Sequence, residues 1–300
     1  MPAHTRLSYE DIAARAHQAL ARLVSCDICP RRCGINRLQD ERGFCRSGRL
    51  ASVASYTPHF GEEAPLVGSA GSGTIFFSGC NLSCVFCQNY DISQQDRGRE
   101  VSAAALAGMM LALQRQGCHN INFVTPTHVV PQILEALVLA REVGLHVPLV
   151  YNSGGYDSVE TLRLLEGIFD IYMPDAKYGS DEPALKYSRA PGYTAVMKAA
   201  LREMHRQVGD LVMDEDGIAV RGLLVRHLVL PAGAAGTTEV VRFLSREISP
   251  NTYLNVMAQY HPEYNACRFP ELCRPITGRE YADALRQAGE AGLTRGLAIL

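Results

Sequence analysis

The run Ser78-Gly-Cys-Asn-Leu-Ser-Cys-Val-Phe-Cys87 sets Cys80, Cys84 and Cys87 in a C-x3-C-x2-C spacing, with Phe86 just before the last. Thiolates suit zinc and iron–sulfur centres, and a loop this short lets all three converge on one. A cubane cluster has four irons, so three local cysteines leave one iron open to an exogenous ligand, unlike the all-cysteine ligation of ordinary ferredoxins. An open iron suits catalysis better than simple electron carriage. Structural zinc fits less well, because it uses four ligands, often as paired C-x2-C knuckles with a longer span between them. A disulfide role fits least, since nothing in the sequence marks the chain as secreted.

A second group lies nearer the N-terminus. Cys26-Asp-Ile-Cys29-Pro-Arg-Arg-Cys33 and Cys45 place four thiols within twenty residues. Four thiolates satisfy tetrahedral zinc or a second, fully ligated cluster, and ligand softness does not separate the two. Either would organise the stretch from Ser25 to about Gly73, whose irregular run of Cys, Gly, Pro and Arg reads as loop without a core of its own. Arg31, Arg32 and Arg37 add positive charge that either steadies anionic thiolates or is simply solvated. Cys118, Cys267 and Cys273 have no partner at ligand spacing and read as structural or incidental.

These groups need a scaffold. Residues 9–24 read as a helix with Ile12, Ala19, Leu20 and Leu23 on one face and Ser8 as N-cap. After Gly73 short apolar strands alternate with helices. Strands are expected at 74–78, 120–124, 147–151, 169–173, 223–230 and 252–257, with a last one at 296–300. Helices are expected at 102–116, 130–143, 158–165, 195–208, 238–247 and 279–291. Such alternation implies right-handed βαβ units and a parallel sheet. About six units are fewer than the eight of a closed barrel. The expected fold is therefore α/β, a partial (open) TIM-like barrel over residues 74–300, preceded by an N-terminal helix and a cysteine-rich metal-binding extension over residues 1–73.

Ligand sites in parallel sheets collect at the carboxyl ends of strands, and the cysteine loop follows the first strand directly. Later strand ends carry Thr125-Pro-Thr-His128, Asn152-Ser-Gly-Gly-Tyr156, Pro174-Asp-Ala-Lys177, Val-Arg226-His-Leu-Val-Leu-Pro231 and Asn255-Val-Met-Ala-Gln-Tyr-His261. Arg226 lies on an apolar strand. Burying a guanidinium without an anion is costly, so it is expected to face a ligand or an internal acid.

Phe-Ser-Gly-Cys-Asn-Leu-Ser-Cys-Val-Phe-Cys-Gln-Asn89 resembles the cluster loop of the radical S-adenosylmethionine (SAM) superfamily. More narrowly, residues 74 to about 262 resemble its pyruvate formate-lyase activating enzyme branch, and the N-terminal cysteines resemble that branch's PflX-like relatives. The resemblance implies a [4Fe-4S] cluster on Cys80, Cys84 and Cys87, with SAM chelated at the open iron through its amino and carboxylate groups. It places Phe86 near the adenine and Arg226 on SAM. Asp175 and Lys177 match an Asp-x-Lys that ends a middle strand, and Asn152 joins them as a cofactor-binding candidate. Gln259-Tyr-His261 resembles a Pro-Tyr-His near the family's last strand. One departure stands out: activating enzymes carry Gly-Gly-Glu-Pro after the second strand to receive the SAM amino group, and this chain has Thr125-Pro-Thr-His128. Thr127 or a main-chain carbonyl is left to accept that hydrogen bond.

The implied activity is one-electron cleavage of SAM to methionine and a 5′-deoxyadenosyl radical, which abstracts hydrogen from a substrate. Flavodoxin or ferredoxin is the implied electron donor. Activation of a glycyl radical enzyme is the first expectation for the substrate, and modification of a peptide or small molecule the second. The rival of another class is a non-catalytic iron–sulfur carrier or metal-binding interaction module. Composition agrees with an ordinary globular protein, at 47% hydrophobic and 20% charged residues. A net charge of −2 gives no support for nucleic-acid binding. No apolar run approaches the roughly 20 residues that span a bilayer. The polar start, Met1 to Glu10, lacks a signal-peptide core. Ten cysteines then suggest metal ligation in a reducing cytoplasm rather than a disulfide framework.

Overall fold

The apolar runs past Gly73 form the strands that their spacing suggests. In the computed structural model, which describes residues 1–297, the strands are β1 (Ala51–His59), β2 (Ser72–Phe77), β3 (Arg99–Val101), β4 (Ile121–Val124), β5 (Leu149–Ser153), β6 (Ile171–Pro174), β7 (Val212–Met213), β8 (Ala219–Leu228) and β9 (Tyr253–Met257). β2, β4, β5, β6, β8 and β9 pair in parallel, each with the next in chain order. Sequential order with right-handed crossovers puts every connecting helix on one face and leaves the other concave. Among the described residues β9 pairs only with β8, so the sheet is open. The architecture is the expected partial barrel.

The pleat sorts the side chains. Ile75, Phe77, Phe123, Leu149, Tyr151, Leu223 and Val225 belong to a large core shared with the buried faces of the helices Ala103–Arg115, Val130–Glu142 and Tyr193–Val208. Residues one position away point inward. There Val150, Ile171, Met173 and Leu224 form a second apolar cluster around Leu66. The N-terminal helix Tyr9–Ala21 is capped by Ser8, whose Oγ accepts the Asp11 N–H at 3.0 Å, and it packs on the helix Val130–Glu142.

Several expectations need correction. The stretch from Ser25 to Gly73 is not coreless loop. Its second half is β1, antiparallel to β2 with a bulge between Val53 and Ser55, and β3 pairs with β1 on the other side. Only Ala51 and Val53 of β1 are buried and β3 pairs with those first residues alone, so the strand has almost no apolar alternation to read. Between β1 and β2 the short helix Ala64–Val67 carries Leu66 into the barrel interior, and Ile28 is buried beside the N-terminal cysteines. The helix expected at 238–247 stops at Phe243 and continues as a π-turn over Leu244–Ile248. At 296–300, Gly296 and Leu297 are irregular, and residues 298–300 lie outside the described residues. Cys267 and Cys273 are not unpartnered: two short 3-10 turns, Ala266–Arg268 and Pro270–Leu272, bring them together as a disulfide.

Candidate active site

The cysteine loop leaves the carboxyl end of β2 and is pinned from several sides. The His128 Nε2–H donates to the Ser78 carbonyl at 3.0 Å, and burial pulls that imidazole down to about 4, so it is neutral near pH 7. Ser83 N–H donates to Ser188 O at 3.1 Å, Val85 N–H to Tyr187 O at 2.8 Å, and Asn265 N–H to Val85 O at 2.8 Å. These bonds fix the backbone of the loop.

Each sulfur has a polar neighbour. Leu82 N–H donates to Cys80 Sγ at 3.3 Å, the Ser188 hydroxyl to Cys84 Sγ at 2.9 Å, and Ser93 Oγ lies 3.1 Å from Cys87 Sγ. Burial pushes the thiols of Cys80 and Cys84 above the ordinary range, while Lys177 pulls Cys84 back. A bound metal cation would hold such thiols as thiolates. Among the described residues no three His, Cys, Asp or Glu side chains close around a single ion. A cubane gives each thiolate its own iron. Phe86 is buried beside the last cysteine, edge-on to Tyr260 at 5.8 Å.

Inside the barrel the ends of β5, β6 and β8 meet. Arg226 Nε donates to Asp175 Oδ1 at 2.9 Å and its Nη2 to Asn152 Oδ1 at 2.7 Å, while Lys177 Nζ bonds the other Asp175 oxygen. Burial raises Asp175, but Arg226 and Lys177 outweigh it and hold the carboxyl below its usual range. Lys177 is in turn held above its ordinary range despite burial, by Asp175 and Cys84. Its charge thus lies between the Asp175 carboxylate and the cysteine loop.

Sequence reasoning missed two members of this group. Arg226 Nη1 lies 3.7 Å from Glu63 and 3.9 Å from Glu62, both from the segment between β1 and β2. Asn255 on β9 donates to Glu63 Oε1 at 3.1 Å. Burial and the neighbouring Glu63 push Glu62 up to about 7, against Arg226. Glu63 Oε2 is buried without a partner, as is the side-chain amide of Asn122 on β4. No local pattern announces a Glu-Glu pair that reaches the site only because its segment threads the barrel.

Thr127 stands apart. It is 2% exposed and donates to Asp157 Oδ1 at 2.7 Å, beside the hydroxyls of Tyr151 and Ser153 on the same carboxylate. The turn carrying it adopts a left-handed backbone at Thr125, with φ of 60°. A β-branched residue rarely takes this conformation and glycine takes it freely.

A family model of the radical SAM superfamily matches residues 74–215, the first two-thirds of the barrel and the whole cysteine loop. An uncharacterized protein of Methanocaldococcus jannaschii is 34% identical over 278 residues, covering 90% of this chain and 75% of that one. The chain belongs to the radical SAM superfamily. It is also similar to the pyruvate formate-lyase-activating enzyme of Clostridium pasteurianum, 26% identical over 190 residues, covering 61% of this chain and 69% of that one. Among solved structures it is similar to a radical SAM methyltransferase from Sphaerobacter thermophilus, at 15% identity and a TM-score of 0.49, covering 74% of this chain and 65% of that one. As a radical SAM enzyme the chain uses a [4Fe-4S] cluster and SAM, and the three thiols, each with its own polar neighbour, fit such a cluster.

Proposed function

We propose that Cys80, Cys84 and Cys87 hold the cluster, that Phe86, Asn152, Asp175, Lys177 and Arg226 shape the SAM pocket beside it, and that the substrate enters at the carboxyl ends of the strands. When bound, the cluster supplies one electron and SAM the 5′-deoxyadenosyl radical. The chain's own residues bind, orient and exclude water. Lys177 offsets thiolate charge beside Cys84 and holds Asp175. Arg226, backed by Asp175, presents Nη1 toward the interior, where it can meet a carboxylate of SAM. The Thr127 hydroxyl already serves Asp157, so main-chain carbonyls of the 125–128 turn receive the SAM amino group. The observation that carries the reading is the juxtaposition of a three-thiol loop with the Asp175–Lys177–Arg226 group at one end of a parallel sheet.

The substrate reading is activation of a glycyl radical enzyme, favoured by the likeness to an activating enzyme. Modification of a peptide or small molecule is the second reading, favoured by the replacement of Gly-Gly-Glu-Pro by Thr125-Pro-Thr-His128. Flavodoxin or ferredoxin, the donors typical of the superfamily, supply the electron. In this reading residues 74–300 form the catalytic unit, joined by β1 and the Glu62–Glu63 segment, and the rest of residues 1–73 a metal-binding extension. Anaerobic incubation of the reduced, reconstituted protein and SAM with a candidate glycyl radical enzyme tests the substrate. A glycyl doublet in the electron-spin spectrum supports the first reading. Its absence, while 5′-deoxyadenosine still forms, turns the search to peptides and small molecules.

A further inference from the structure

The N-terminal thiols form a group that the site above does not use. Cys26, Cys29 and Cys45 are buried and Cys33 is exposed. Backbone bonds close the segment on itself: Cys26 N–H donates to Ile35 O at 2.8 Å, Gly34 N–H to Cys26 O at 3.0 Å, and Arg32 N–H to Cys29 O at 3.0 Å. Gly43, two residues before Cys45, approaches so closely that a Cβ there would lie 3.0 Å from Cys33 Sγ.

Among the described residues, two arginines face this group without a carboxylate in ion-pair reach. Arg37 is 1% exposed, yet its acceptors are the carbonyls of Gly48 and His128, at 3.0 and 2.8 Å, and the Cys26 sulfur at 3.9 Å. Its Nη2 is buried with no partner, and so is the Nη2 of Arg31. A guanidinium stays charged in any protein setting, and burying one unpaired is expensive. Four thiolates around a metal centre supply the missing negative charge. Among the described residues no three of these groups close around a single ion.

The group also touches the catalytic loop on both sides of Cys80. A Cβ at Gly79 would lie 2.4 Å from the Cys45 carbonyl, and Arg31 Nε donates to Asn81 O at 2.9 Å. Arg31 thus reaches from one cysteine group to the other, its guanidinium 3.6 Å over the Phe44 ring.

We propose that Cys26, Cys29, Cys33 and Cys45 hold a second [4Fe-4S] cluster that relays single electrons to the one at Cys80, Cys84 and Cys87. The relay direction rests on the radical SAM reading; the second cluster does not. In the transfer the second cluster goes from its 1+ to its 2+ state, and the first from 2+ to 1+. A low-potential one-electron donor such as reduced flavodoxin or ferredoxin then restores the second, and no atoms move. Exposed Cys33 is the point of approach for that donor.

The test is the Cys80→Ala/Cys84→Ala/Cys87→Ala variant, reconstituted without oxygen and reduced with dithionite. It should retain about four iron and four sulfide and give its own cluster spin signal. In the converse variant, Cys29→Ala/Cys45→Ala, iron should fall from about eight to about four, which guards against misfolding of the first. Fully reduced wild type should show spin–spin broadening that both variants lose. A triple variant that binds zinc, or a wild type that never exceeds about four iron, overturns the second cluster. Two clusters without magnetic interaction overturn the relay. Neither result bears on SAM cleavage, which fails separately if wild type makes no 5′-deoxyadenosine.

Discussion

Arg226 and Lys177 share the barrel interior with three carboxylates, those of Asp175, Glu62 and Glu63. Burial, with Glu63 and Asp175 beside it, pushes Glu62 up to about 7, against the pull of Arg226. Its ordinary value is 4.5, so between about pH 4.5 and 7 the folded protein binds a proton that the unfolded chain releases. Stability through this group is therefore full at low pH and declines as pH rises through that window. Glu62→Gln removes the decline. The melting temperature of the variant should gain on wild type from pH 5 to pH 7 and then run parallel to it; curves parallel throughout would show that Glu62 does not titrate in this window. Arg226→Ala should cost about 3–5 kcal/mol, because it strands buried carboxylates. It should also weaken SAM binding roughly ten- to a hundred-fold with the cluster retained. Denaturant titration and anaerobic equilibrium dialysis measure the two effects, and an unchanged SAM affinity would assign the arginine to the fold alone. Much at this scale is legible in the sequence: an arginine on an apolar strand needs an acid, and Asp175 two residues before Lys177 marks a strand end. Glu62 and Glu63 are not legible, because their proximity to Arg226 depends on chain threading and not on spacing.

The element that brings the two glutamates there is the segment between β1 and β2. Its Leu66 is 0% exposed and packs with Val150, Ile171, Met173 and Leu224 on the concave face. The segment packs on the concave face and brings Glu62 and Glu63 to Arg226. Leu66→Ala should cost about 2–5 kcal/mol, as large-to-small core changes do, and should lower SAM affinity without changing iron content. A variant of wild-type stability would mean that the interior is held by the strands alone. The βα units were readable because buried parallel strands and amphipathic helices have strong, different periodicities. β1 was hidden by its composition, with Tyr56 exposed and few inward apolar residues. The turn at Thr125 was readable only as a departure. The structure adds that its backbone takes the conformation that glycine favours.

At the scale of the whole molecule, six parallel strands in chain order make an open, concave sheet whose carboxyl edge carries the cysteine loop at β2 and the charged group at β5, β6 and β8. Among the described residues the sheet does not close, and its concave face stays open at that edge. This architecture follows from the count and order of the βα units, which the sequence carries openly. Which substrate is taken is written in no such pattern, since loops rather than strands define it. No described helix is long and apolar enough to cross a membrane. The central claim is that the three-thiol loop makes this chain a SAM-cleaving enzyme. It is tested most directly by reconstituting the protein without oxygen, adding dithionite and SAM, and measuring 5′-deoxyadenosine by chromatography, with the Cys84→Ala variant alongside. Wild type should form 5′-deoxyadenosine and methionine, and the variant none. A fully loaded wild type that forms no 5′-deoxyadenosine, or a Cys84→Ala variant that forms as much as wild type, would contradict it.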